Sequence, residues 1–174
     1  MNSKTKNLSL TAMFIAIGVV LPQAFHAIPN AGSIFLPMHI PVLLSGYAVG
    51  PLYGALVGFL TPLLSHLIFS MPPSAILPSM LCELTVYGLA TGFFSRFIRT
   101  ETKAVKTYAV LILGMLCGRV TYGVLNALIF RAGAYSMQSW ITAAFVTALP
   151  GIVIQLILIP FIVLALDKAN LLKL

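Results

Sequence analysis

Acidic residues are nearly missing from this chain: Glu83, Glu101 and Asp167 are the only three in 174 positions. Charged residues of either sign make up 7%, 60% of positions are hydrophobic, and the mean hydropathy is +1.05. So few polar groups cannot cover an apolar interior with a wet surface, which excludes a water-soluble core-and-surface plan. An integral membrane protein is expected. Cysteine is scarce too. Cys82 and Cys117 both lie in apolar runs, where a free thiol behaves as a small hydrophobe, and two cysteines alone make no zinc site. The chain has no Gly-rich Walker loop, no HExxH, no two-metal aspartate pair and no Ser-Lys or Gly-x-Ser-x-Gly nucleophile arrangement. Enzymatic activity is therefore not expected, and neither a metal nor a cofactor is called for.

The net charge of +7 comes from basic residues in short segments between apolar runs. They form no extended stripe and have no interleaved aromatics, which argues against nucleic acid. No composition shift, low-complexity tract or hydrophilic insertion divides the chain, so residues 1–174 are expected to form one domain. The first apolar run follows Lys4 and Lys6 as in a signal peptide, but it continues to Val20-Leu21 without a small-x-small cleavage site, and reads as a retained helix.

A helical span needs about 20 apolar residues. Proline, glycine and charge place six of them near 7–26, 36–50, 51–70, 75–97, 107–130 and 140–166, with Gly50-Pro51 separating the second from the third. The fold class expected is an all-α integral membrane protein, a compact bundle of six transmembrane helices. Lys4, Lys6, Arg96, Arg99, Lys103, Lys106, Lys168 and Lys173 then fall on one side and Arg131 alone on the other. By the positive-inside rule both termini are cytoplasmic and the loops 27–35, 71–74 and 131–139 external.

Two charges remain inside spans, Glu83 in the fourth and Arg119 in the fifth. At 1.5 Å per residue both sit roughly 12–17 Å below the external surface, so they can meet. A charge at that depth costs about 2.5–3.5 kcal/mol on insertion scales and usually faces a protein interior or a water-filled cavity. Tyr87 lies one turn from Glu83, and Tyr122 and Asn126 share the face of Arg119. Two polar faces at one depth on consecutive antiparallel helices line an outward-opening pocket, or else form a structural Glu–Arg clamp with packing tyrosines. His26, His39 and His66 map to the external ends of the first three spans. Their long spacings favour interface or ligand contacts over a metal site. Met71-Pro72-Pro73 reads as a rigid external turn and Asn30-Ala31-Gly32-Ser33 as a flexible one, either of which suits a lid; Tyr135 and Trp140 are lid residues or interfacial anchors.

The stretch Leu36-Pro37-Met38-His39-Ile40-Pro41-Val42-Leu43-Leu44, then Met71-Pro72-Pro73, Glu83-Leu84-x-x-Tyr87-Gly88 and Gly118-Arg119, with Ala12-x-x-x-Ala16 on the first span, resembles the substrate-binding S components of energy-coupling factor (ECF) vitamin transporters. Within them it is similar to the pantothenate-type group, and the similarity covers essentially the whole chain. The resemblance implies a high-affinity binding subunit in a bacterial cell membrane, partnered by a transmembrane coupling protein and two cytoplasmic ATPases. It implies that Ala12 and Ala16 meet the coupling protein, that ligand is held near the external side among spans four to six under the first loop, and that the subunit topples in the bilayer to deliver it. Glu83, Tyr87, Arg119, Tyr122, Asn126, His39 and His66 are the expected substrate-binding residues. Pantothenate leads through the family label, with a vitamin B6 form or hydroxymethylpyrimidine as alternatives. Two other classes stay open on the residues alone: a small intramembrane enzyme using Glu83 with His39 or His66, and an assembly protein whose ion pair only fixes helix register.

Overall fold

Proline and glycine break the apolar sequence into helices because one lacks the backbone donor and the other leaves the helical region without strain. The computed structural model describes residues 3–25 and 27–168. Helix α1, Ser3–Val20, ends in a 3-10 turn, Leu21–Phe25, that contains Pro22. A short α2, Ala31–Phe35, leads to α3, His39–Val49, and α4 is Pro51–Phe69. Helix α5 is Leu77–Phe97, and α6, Lys103–Leu125, continues as a π-helical turn, Asn126–Phe130. Helix α7, Met137–Ile141, runs into a second π turn, Thr142–Thr147, before α8, Leu149–Lys168. No strand occurs among the described residues. Among the described residues, six segments are long and apolar enough to cross a bilayer: Lys4–Phe25, Ala31–Val49, Pro51–Phe69, Leu77–Phe97, Lys103–Phe130 and Leu149–Lys168.

The Gly50-Pro51 break is where it was expected, with Gly50 at φ 108° and Pro51 opening α4. Two boundaries differ from hydropathy. Asn30–Ser33 is not a flexible turn: Asn30 adopts a left-handed conformation and the chain enters α2 at Ala31. The second span thus begins five residues before position 36, and it is interrupted at Leu36, which takes a left-handed conformation just before Pro37. The sixth span begins at Leu149 rather than 140. Residues 137–147 are helical but interrupted by the π turn, and Pro150 suits the first turn of a new helix better than the interior of a longer one.

Helix α3 is the centre of the bundle. Every residue from His39 to Tyr47 is buried, and α3 packs against α1, α4, α5 and α8. The outer helices show one buried stripe and one apolar outward face, including Leu52, Leu67, Leu128 and Phe161, as a lipid-facing surface requires. Close approach of α4 to α5 depends on missing side chains. A Cβ added at Gly88 would fall on the Gly54 carbonyl, one at Gly54 on the Gly88 carbonyl, and one at Gly58 on the Leu84 carbonyl. In lipid, where apolar side chains gain nothing by leaving the solvent, such small-residue contacts are what hold helices together.

Gly88→Ala therefore forces α4 and α5 apart and is expected to lower stability by about 1–3 kcal/mol, the usual cost of overpacking. Gly32→Ala, whose added Cβ meets nothing within 4 Å, is expected to be neutral. Melting temperatures of the two variants in detergent check this; equal values would mean that the glycine contacts do not set the helix spacing.

Candidate functional site

Helices α3, α5 and α6 each deliver one ionisable side chain to the same buried point. Glu83 is one to two turns into α5, with Tyr87 a turn deeper on the same face. Arg119 reaches it from α6, and His39 opens α3 just after the Leu36 bend. Arg119 Nη1 donates to Glu83 Oε1 at 3.0 Å. His39 Nε2 stands 3.9 Å from the same oxygen, too far for a hydrogen bond but within ion-pair range if the ring is protonated. The ring of His39 meets that of Tyr87 edge-on, with centroids 5.2 Å apart. Glu83 is 3% exposed, Arg119 6% and His39 3%, so the cluster is screened from both water and lipid.

The cluster is only partly satisfied from within the protein. Arg119 Nε and Nη2, and both ring nitrogens of His39, are buried without a protein hydrogen-bond partner. Nε and Nη2 form one edge of the guanidinium, a pair of parallel donors matched to a carboxylate. Buried polar groups are rarely left unpaired, because each carries a desolvation cost of about 1–3 kcal/mol.

Asn126 is buried at the end of α6, where its Nδ2 donates to the Tyr122 carbonyl at 2.8 Å, a local bond at the start of the π turn. Tyr122 is half-buried and meets Tyr135 edge-on, with ring centroids 6.5 Å apart. Burial lifts the Tyr135 phenol above its ordinary pKa of 10; the Tyr122 ring adds to this and Arg131 opposes it. His66 is engaged elsewhere: its Nδ1 donates to the Pro72 carbonyl at 2.7 Å, tying the end of α4 to the turn before α5. No ion pair or hydrogen bond joins it to Glu83 among the described residues. His26 lies outside the described residues. Ala12 and Ala16 are exposed on the outward face of α1, away from the cluster, next to Met13 and Ile17.

Two further residues stand out in the interior and beside Arg119. Gln155 is 1% exposed on the buried stripe of α8, which packs on α3 and α6, and its Nε2 has no protein partner. It lies six residues into α8, as Glu83 lies six residues into α5. The signal was a lone amide in the most apolar span. Trp140, the only tryptophan, donates from Nε1 to the Arg119 carbonyl at 3.0 Å and occupies the space left by Gly123. It ties the segment after α6 to the backbone that carries the arginine. An apolar cavity of about 250 Å³ between α6 and α7, lined by Val120, Val124, Tyr135, Met137 and Trp140, opens on the outward face of α6. The polar cluster is on the other face of that helix.

Comparison with known proteins gives one finding. A family model described as ECF transporter, substrate-specific component, matches residues 6–163. No curated protein and no solved structure matches the chain.

Removing one member of the buried pair strands the other. Glu83→Leu and Arg119→Leu are each expected to cost about 3–5 kcal/mol, while the double variant costs less than their sum because no charge is left unpaired. A double-mutant cycle on thermal or denaturant stability measures this, and additive losses would show that the 3.0 Å contact is not an energetic pair.

Proposed function

The chain belongs to the substrate-specific components of ECF transporters, and from that premise we propose that it captures pantothenate from outside the cell on the His39–Glu83–Tyr87–Arg119 cluster. Proteins of this family are the substrate-binding subunits of importers and not enzymes, and with six apolar helices this is a multi-pass protein of the cell membrane. They act with an ECF coupling module and its ATPases.

The observation that carries the choice of ligand is the open edge of Arg119. Nη1 is held by Glu83, which fixes the guanidinium plane, and Nε with Nη2 are left to receive a carboxylate side-on. Pantothenate has one carboxylate together with hydroxyl and amide groups. Gln155 and His39 supply donor and acceptor atoms for those groups, with Tyr122 and Asn126 toward the mouth of the site. His66 contributes through the Pro72 turn. The charge bias of the loops supports cytoplasmic termini, with the site facing outward. The exposed Ala12 and Ala16 provide the small-residue face on which the transmembrane coupling protein closes, after which toppling carries the site across. A neutral vitamin B6 form or hydroxymethylpyrimidine is the second reading, favoured by the mutual neutralisation of Glu83 and Arg119.

Thermal shift of the purified chain against a panel of B vitamins tests this directly. Pantothenate at 100 times its dissociation constant is expected to add about 2.7 kcal/mol of apparent stability. Arg119→Lys keeps the charge but loses the fork and is expected to weaken binding by at least tenfold. A shift with a neutral vitamin and none with pantothenate would transfer the assignment. Ala12→Trp and Ala16→Trp are expected to bind normally yet abolish uptake in cells that contain the coupling module; normal uptake would remove the α1 face from the interface.

A further inference from the structure

The turn between α5 and α6 concentrates the largest group of cations in the molecule, and the ligand-binding cluster makes no use of it. Arg96, Arg99, Lys103 and Lys106 line a groove of about 770 Å³ in which Glu101 is the only acid. Lys103 is neutralised by Asp167 of α8 at 2.5 Å. Arg96, Arg99 and Lys106 have no ion-pair partner among the described residues. The Arg96 guanidinium is not a freely waving surface group: a Cβ added at Gly50 would fall on it, so it is folded over the junction of α3 and α4. The groove also receives the start of α6, a helix of 23 residues whose N-cap, Thr102, makes no side-chain capping bond. The first free N–H groups of α6 therefore add a positive dipole end to the three unpaired cations.

An apolar surface adjoins the groove. Phe93 and Phe97, one turn apart on α5, are exposed and stacked on each other with centroids 4.3 Å apart, and Phe93 lies three residues from Arg96. A ligand that uses both surfaces has an anionic head and a hydrocarbon tail. The groove lies at the end of the bundle shared by the start of α1 and the end of α8, where a leaflet's headgroups meet the helices. Helix α1, which carries the Ala12–Ala16 face, packs on α3 and α4, not on α5 or α6, so a partner docked on that face leaves the groove open to lipid.

We propose that this groove binds an anionic phospholipid, with its phosphate held by Arg96, Arg99, Lys106 and the start of α6 and an acyl chain lying along Phe93 and Phe97. Bound there, the lipid neutralises the densest charge on the protein while the bundle stays in contact with the membrane.

The test is native mass spectrometry of the full chain released from nanodiscs of phosphatidylcholine containing a series of phosphatidylglycerol fractions. The wild-type chain is expected to retain phosphatidylglycerol in preference to phosphatidylcholine. At about fivefold per cation, the triple variant Arg96→Gln/Arg99→Gln/Lys106→Gln is expected to lose that preference by on the order of 100-fold. Lys4→Gln/Lys6→Gln removes two charges at the same end of the bundle and is expected to keep it. Phe93→Ala/Phe97→Ala is expected to weaken retention with the headgroup cations intact. Unmoved melting temperatures establish that the variants are folded. Three results overturn the proposal: wild-type retention by the triple variant, equal loss in the Lys4/Lys6 variant, or displacement of phosphatidylglycerol by millimolar inorganic phosphate, which would make the groove a free-anion site.

Discussion

The contact between Arg119 and Glu83 is the constraint around which the rest of the bundle is arranged. Neither side chain is tolerable alone at membrane depth, and at 3.0 Å each lowers the cost of burying the other. Meeting that requirement fixes the rotation of α5 against α6, because both residues must point into the seam. It also fixes their relative height, because a shift of one turn separates the charges by about 5.4 Å. Tyr87, a turn below Glu83, is thereby set against His39 on the central helix. The result is a polar centre in which one nitrogen of the arginine bonds Glu83 while Nε and Nη2 have no protein partner. The bond to Glu83 holds the guanidinium plane in place.

Packing around that centre is maintained by the absence of side chains rather than by their bulk. Glycines at 54, 58 and 88 let α4 and α5 approach until carbonyl groups occupy the positions where Cβ atoms would be. Helix α3 is enclosed by four neighbours and presents His39 at its first turn, immediately after the Leu36 bend. At the other end of the bundle, Tyr47 and Thr107 share a hydrogen bond of 3.1 Å between α3 and α6, and Lys103 and Asp167 join α6 to α8. The two ends thus differ in kind. One is a partly satisfied polar cluster under short helices and loops, and the other is basic, cross-linked and bordered by exposed aromatic rings.

Above the cluster, two short helical segments cover the ends of longer ones. Helix α2 lies against the start of α8, where a Cβ at Gly151 would approach the Ile34 carbonyl at 2.8 Å. Trp140 holds the segment between α6 and α8 to the Arg119 carbonyl. Both segments interrupt what hydropathy reads as continuous apolar runs, one at a left-handed residue before proline and the other at a π turn. Leu36 is buried, whereas most of the Thr142–Thr147 turn is exposed, with Ala144 alone facing inward.

The sequence by itself determined the helical class, the six apolar spans and the meeting of Glu83 with Arg119. Each follows from quantities local along the chain: hydropathy over about 20 residues, a fixed rise per residue, and the cost of an unpaired charge in hydrocarbon. Tertiary structure decided what depends on which faces meet. It turned His66 to the Pro72 carbonyl, used the Asn126 amide on its own helix, and brought Gln155 into the interior from the most apolar of the spans. It also displaced the start of the sixth span to Leu149, because hydropathy sums over a π turn without registering it. A side chain's partner in a bundle is set by helix rotation and crossing, and these emerge only when glycine contacts, the buried ion pair and the central helix are satisfied together.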